Sequence, residues 1–503
     1  MHNHSQGAIL SGLTSISGTA TQDSSCLATL RLEAESLGNS LPVVWLCVPI
    51  FAAFFGCARF HSQPLSASAN AEALESRSLR NDELKTVLEK NLHRDFGNWP
   101  EVEWDFDMLT LAAFYFHPSL EIARAQWAVA QGGEKTAGQR PNPTLTVTPT
   151  YNFTTFVPSP WDPVGSIDVP IETAGKRRYR RAQAGSLSEA ARLNIATVAW
   201  QVRSAVRSSL LDFASAGQRE TELEKQVSVE EEILRRQQQQ VAVGEIAPSE
   251  SFVIRITLEK ARLDLLDARR QRVEARGRLA AALGVPLRAL SEVKFTALPR
   301  DLDGLVELTS ADVRRAALQT RPDILGALAE YAASQSALQL EIAKQYPDVH
   351  LQPGYEFDQD DSKWSIGLTV ELPVLNQNQG PIAEAKARRE ESAARFNGLQ
   401  AKVLAEIDSA VEVFRISETN ALTLRALAEA RTKRRDAVDA QLKAGAVDQL
   451  ELLNAQFELA AAELVQLEGE IKLQQSAAAL EDAVQRPFAL PNEIFHSRRT
   501  DAR

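Results

Sequence analysis

Residues 182–243 contain no proline and only two glycines, Gly185 and Gly217. An uninterrupted helix over these 62 residues would be about 90 Å long at roughly 1.5 Å per residue. Helices of ordinary globular domains run to three or four turns, so a stretch like this predicts a rod. A second one follows at residues 383–444. The two rods belong to an internal duplication. Pro118 pairs with Pro322, Pro143 with Pro347 and Tyr151 with Tyr355, all offset by 204. Gly244 pairs with Gly445, Glu250 with Glu451 and Pro286 with Pro487, all offset by 201. Six landmarks in one order, with the same pattern types between them, mean that one unit occurs twice. The three-residue slip is expected in a turn or strand.

Each copy reads as the same series of elements. An Ala-rich amphipathic helix comes first, over residues 118–136 and 322–344, with its proline in the favoured first turn. Two alternating stretches follow. In copy one they carry Leu145, Val147, Pro149, Tyr151 and Phe153, then Ile167, Val169 and Ile171. In copy two they carry Leu351, Pro353, Tyr355 and Phe357, then Ile366, Leu368, Val370 and Leu372. Period-two alternation marks a strand with one apolar face. Residues 158–165 and 358–363 read as the turns between them, which places Trp161 in a turn and Trp364 beside one. The rod comes next, then a glycine turn and a return helix. Leu453, Phe457, Ala460, Leu464, Leu467 and Ile471 make a heptad seam in the second return helix. Phe252, Ile256, Glu259, Leu263, Leu266 and Arg270 repeat it less purely in the first.

The implied layout is a leader at 1–56, a polar extension at 57–104, repeats at 105–290 and 313–488, a linker at 291–312 and a tail at 489–503. Residues 41–56 are uncharged and apolar but short for a membrane helix, which needs about 20 residues. They suit the core of an export signal. Gly56-Cys57 resembles a bacterial lipoprotein cleavage site, with Cys57 the lipidated residue; an unlipidated signal or a short anchor is the alternative. Cys26, Cys47 and Cys57 are the chain's three cysteines, so no disulfide staples its body. The net charge of -11 argues against a nucleic-acid partner. No catalytic constellation, phosphate loop or metal-ligand spacing is present, so neither an enzyme nor a cofactor is expected.

Four short strands per chain cannot close a sheet, and an open edge is not tolerated in lipid. With an export signal and long rods, they favour a barrel shared among subunits. The duplicated layout resembles the TolC-like outer-membrane efflux protein family. The resemblance is carried by His117-Pro118-Ser119-Leu120, Arg140-Pro141-Asn142-Pro143, Pro170-Ile171 before Gly175-Lys176-Arg177, Arg321-Pro322-Asp323, and the turns Val243-Gly244 and Ala444-Gly445. It implies a mainly α, α+β membrane protein. Three chains would form a twelve-stranded β-barrel continued by a periplasmic α-helical barrel. The homotrimer would sit in the outer membrane and act as a passive duct for small solutes such as drugs or metals. Its partners would be a periplasmic adaptor, or membrane fusion protein, and an inner-membrane pump.

The resemblance assigns adaptor contact to the tips, Val243, Gly244, Glu245, Ala444, Gly445 and Ala446; the glycines could equally serve only the turn conformation. It assigns a pore constriction to Glu250, Glu451 and Asn454, where the other reading is a solvated helix face. The basic run Lys176-Arg177-Arg178-Tyr179-Arg180-Arg181 suits a barrel-to-helix junction at lipid headgroups. Two further functions remain open: a protein-secretion duct of the same fold, and a coiled-coil envelope adaptor with soluble strands.

Overall fold

The computed structural model describes residues 60–100, 103–153, 156, 158–296 and 311–485. Cys57, the apolar segment before it, most of the linker, Pro487 and the tail lie outside the described residues. The stretch at 57–104, expected to be a loose extension, contains packed structure. Helices α1 (Ala67–Glu75) and α2 (Asp82–Leu92) are followed by a short strand β1 (Glu103–Trp104). Leu84, Leu88 and Trp104 are fully buried against helix α3 (Phe106–Phe116). Pattern reading missed them because the apolar residues are few and widely spaced. Arg77 stitches this segment down, donating from Nη1 to the carbonyls of Phe116 and Gly284 at 2.8 Å each.

The first repeat continues with α4 (Pro118–Ala137), β2 (Thr144–Tyr151), β3 (Trp161–Ile171), α5 (Lys176–Ala242) and α6 (Glu250–Leu283). A two-residue strand β4 (Lys294–Phe295) then pairs in parallel with β1. The second repeat follows α7 (Ala311–Thr320) as α8 (Pro322–Ala343), β5 (Val349–Asp358), β6 (Asp361–Val370), α9 (Gln379–Lys443) and α10 (Gln449–Val484). Pro118 and Pro322 occupy first-turn positions, as expected. Both rods are single helices, of 67 and 65 residues. That two-residue difference accounts for most of the slip. The rest falls in the hairpins, because Trp161 and Trp364, like Gly175 and Asn378, are offset by 203.

The strands form one antiparallel sheet in the order β2-β3-β5-β6. Above the rods' midpoints the helices take the matching order α4-α5-α8-α9, and below them α6-α5-α10-α9. The second hairpin is tighter than expected, and the turn of the first falls earlier in the chain. Residues 161–165 and 361–363 belong to strands, and the second turn is only Gln359-Asp360, both at positive φ. Such a two-residue turn matches the twist of the strands it joins.

The heptad seams need correction. On α6 the buried stripe is Leu258, Ala261, Leu265, Ala268, Ala275 and Leu279, packed on α5. Phe252, Ile256, Leu263 and Leu266, the expected seam, are more than half exposed. On α10 the buried stripe is Leu452, Ala455, Leu459, Ala462, Gly469 and Leu480. The expected residues lie one or two positions further on. Leu453 and Ala460 are buried, while Phe457, Leu467 and Ile471 are half-buried. Leu464 packs on the Leu223–Leu258 cluster. Alanine is the reason: it reads as a weak core residue, yet its small side chain lets two rods approach closely. At Gly469 an added Cβ would lie 2.5 Å from Leu424 Cδ1.

The two copies are tied by charge as well. Glu481 on α10 binds Arg203 at 2.8 Å and Arg207 at 2.6 Å, both on α5. Burial opposes its ionisation, but the two guanidiniums outweigh that and hold its carboxyl below the usual range. Arg321, nearly buried, caps the end of α10 by donating to the Ala483 carbonyl.

Gly284 ends α6 at φ +71, and a Cβ there would sit 3.0 Å from the Phe116 carbonyl oxygen. Gly284→Ala should therefore cost about 2–4 kcal/mol. Gly277→Ala on the same helix meets open space and should stabilise by roughly 0.5–1 kcal/mol. Thermal unfolding of the two purified variants checks the opposite signs.

Candidate functional site

The hairpin tips are built alike. At the first, the Gly244 N–H donates to the Val241 carbonyl at 3.1 Å and the Glu245 N–H to the Gln240 carbonyl at 2.9 Å. At the second, Gly445 donates to Leu442 and Ala446 to Gln441, both at 2.9 Å. These paired bonds make the Schellman helix ending. Both glycines stand at positive φ, +81 and +72, and neither has any atom within 4 Å of an added Cβ. Conformation rather than space therefore selects glycine here. Val243, Glu245, Ala444 and Ala446 are exposed around them.

The return helices start differently. Asp448 caps α10, its Oδ1 accepting from the Glu451 N–H at 2.9 Å. Ser249 makes no side-chain cap on α6. Glu250 accepts weakly from the Ala247 N–H at 3.4 Å and is exposed. Glu451 lies 3.8 Å from Arg434 on α9, and Arg434 and Arg431 both reach Glu458 at 2.5 Å. Its charge is thus partly balanced within the chain, a link that sequence spacing did not show. Asn454, one turn on, is exposed.

At the other end of the rods the sheet has two unlike faces. One carries Leu145, Val147, Tyr151, Trp161, Ile167, Val169, Leu351, Tyr355, Trp364, Ile366 and Leu368, which the register places in adjacent rows. Trp161 lies opposite Tyr151 and Trp364 opposite Tyr355, with ring centroids 5.0 Å apart in each pair. Both tryptophans are on strands, Trp161 as the first residue of β3. The aromatic pairs sit at the hairpin end, as at a membrane–water boundary. The strands have 8 to 11 residues, and about 9–11 tilted residues span a bilayer core. The opposite face is polar: Thr144, Thr146, Thr148 and Thr150, with Asp162, Asp168, His350, Gln352, Glu356 and Lys363. His350 Nδ1 lies 3.0 Å from Asp168 Oδ2 across β3 and β5. Sequence reading did not single out this pair, although both residues alternate with the apolar ones.

Where the strands meet the rods, Lys176 Nζ binds Asp348 at 2.8 Å. Burial works against ionised Asp348, but Lys176 and the Thr173 N–H hold its carboxyl below the usual range. Among the described residues no helix is long and apolar enough to cross a membrane, and no group of three or more His, Cys, Asp or Glu could hold a metal.

The chain matches the outer membrane efflux protein family over residues 116–285 and 313–484, both repeats in turn. It belongs to that family. The cobalt-zinc-cadmium resistance protein CzcC of Cupriavidus metallidurans is 23% identical over 261 residues, covering 52% of this chain and 61% of CzcC. Solved structures of bacterial membrane proteins share the fold. The outer membrane protein VceC of Vibrio cholerae superposes with a TM-score of 0.62 at 19% identity, over 75% of this chain and 95% of VceC. A membrane protein of Pseudomonas aeruginosa gives 0.63 at 18%, over 75% and 92%. The fold is that of the TolC-like channels, mainly α with a small β domain.

Gly445→Val should strain the second tip by about 1–2 kcal/mol and open it to protease. Gly445→Asn should be milder, since asparagine enters the left-handed region more readily. Limited proteolysis mapped to the tip distinguishes them.

Proposed function

We propose that this efflux-family chain is the outer-membrane exit duct of a tripartite export system and works as a homotrimer. The observation that carries the reading is a shared pair of open edges. β2 and β6 end the sheet, and α6 and α9 end the lower helical layer in the same order. α6 presents Phe252, Ile256, Leu263 and Leu266 there, and α9 carries exposed Val413 and Ile416. Joining one chain's β2 and α6 edge to the next chain's β6 and α9 edge is a head-to-tail contact. It closes into a ring when the rotation permits. Three copies give twelve strands with no unpaired edge, which lipid requires. The apolar sheet face then meets lipid and the polar face lines the lumen.

In this reading the rods continue the duct through the periplasm. Val243, Gly244, Glu245, Ala444, Gly445 and Ala446 meet the periplasmic adaptor of an inner-membrane pump. Glu250, Glu451 and Asn454 border the narrow end, and acylated Cys57 would add a lipid anchor. The cargo is small solutes. Metal cations are favoured within that class by the likeness to CzcC and by the acidic side chains on the polar sheet face.

Ile366 is 79% exposed on the apolar face of a single chain. A lipid-facing Ile366→Arg should cost roughly 2–4 kcal/mol and strip assembled trimer from the detergent-extracted membrane fraction. Ser365→Arg, on the polar face, should leave the trimer intact. A water-soluble sheet would accept arginine at position 366, and equal trimer yields would overturn the channel reading. Glu451→Gln should lower cation preference in planar bilayers. Unchanged permeability ratios would place Glu451 outside the pore.

A further inference from the structure

Five of the six side chains from Lys176 to Arg181 are basic, in a chain whose net charge is -11. They divide by direction. Lys176 pairs with Asp348, and Arg180, one turn on, pairs with Glu172. Asp348, Glu172, Asp168 and His350 share the alternation of the polar sheet face, so these two cations turn toward that face. At about 100° per residue, Arg178 points roughly 200° from Lys176, toward the apolar side. Arg181 lies between. Both are exposed, and with Lys135, Gln139 and half-buried Arg177 they line a groove of about 900 Å³ between α4 and α5. Among the described residues, Glu134 is the one carboxylate in it.

The groove is built rather than incidental. Arg177 Nε donates to the Gly138 carbonyl at 2.7 Å, which fixes α4 against α5 and leaves the groove open. Arg178 lies over the Tyr179 ring, 4.9 Å from its centroid, and donates to the Tyr179 hydroxyl at 3.1 Å. That stacking holds the guanidinium in place. Leu145, Ile167 and Ile171 begin the apolar sheet face at this same end.

We propose that this groove binds the phosphate of an anionic phospholipid headgroup in the membrane leaflet nearest the rods. The proposal rests on the sheet being embedded in the membrane. A lipid whose chains lie on the apolar face has its phosphate at the level where the strands end and Arg178 and Arg181 begin. Guanidinium forks match phosphate oxygens in pairs, and Lys135 adds a third charge from the neighbouring helix. In a trimer the site recurs three times around the rim. It would set the depth of the barrel and resist tilting while a pump pulls on the far end of the rods.

The test uses the full-length protein in detergent, titrated separately with phosphatidylglycerol, phosphatidylcholine and inorganic phosphate and read by native mass spectrometry. Phosphatidylglycerol should be retained in preference to phosphatidylcholine. Replacing Arg178 and Arg181 together by glutamine should weaken its binding roughly thirtyfold, at about fivefold per removed charge. The same exchange at exposed Arg388 and Arg395 on α9 should change nothing, and an unchanged complex mass certifies that all variants are folded. Equal retention of the two lipids, or undiminished binding by the Arg178/Arg181 variant, overturns the proposal. Displacement of phosphatidylglycerol by equimolar inorganic phosphate also overturns it, by making the groove a plain anion site. A protein that needs no detergent sinks the channel reading itself. One that needs detergent but shows no lipid preference sinks only this inference.

Discussion

Backbone hydrogen bonding at the sheet edges constrains everything else in this molecule. Each strand edge carries N–H and C=O groups that water can satisfy and lipid cannot. Among the described residues, the sheet β2-β3-β5-β6 pairs its inner edges within one chain and leaves the outer edges of β2 and β6 open. Its apolar face suits lipid better than water. In the proposed trimer a neighbouring chain supplies that pairing, and the helical layer repeats the same open order with α6 and α9. Duplication makes this economical. Two copies of a hairpin-and-rod unit give a chain whose two ends can meet across a rotation.

The rods carry that order over about 100 Å. Over such a length a few large side chains cannot hold register, and a repeating seam can. Leu258, Ala261, Leu265 and Ala268 on α6, and Leu452, Ala455, Leu459 and Ala462 on α10, supply it with alternating large and small residues. The buried ion pairs of Glu481 with Arg203 and Arg207 lock α10 to α5 where the layers change. Truncating Glu481 there would take from Arg203 and Arg207 the carboxylate they share in a part-buried site. The N-terminal segment, through Arg77, binds the carbonyls at two chain reversals and so belongs to the same joint.

Function follows from the separation of faces. Alternation in the strands sends Trp161, Trp364 and Ile366 one way and Asp168, His350 and the threonines the other. At the junction the basic run is sorted likewise, with Lys176 and Arg180 neutralised by carboxylates and Arg178 and Arg181 left facing outward. At the tips nothing is buried, and left-handed glycine keeps the turns short.

Duplication, rods, strands and glycine tips were legible in the sequence because each depends on local periodicity or on residues with one backbone role. The prolines at 118 and 322 and the glycines at 244 and 445 mark their elements in any context. Which apolar stripe is buried was not legible. Phe252, Ile256 and Leu263 outweigh Ala261 and Ala268 on any hydrophobicity count, yet the alanines face α5 because small side chains alternating with Leu258 and Leu265 let the rods approach closely. The pairing of Asp168 with His350, of Glu451 with Arg434, and of the basic run with its carboxylates joins residues far apart in the chain. Sequence alone determined the repeated unit and its elements. Only the tertiary structure decided which face of each element meets the chain itself and which is left exposed, because that choice depends on the distance between elements.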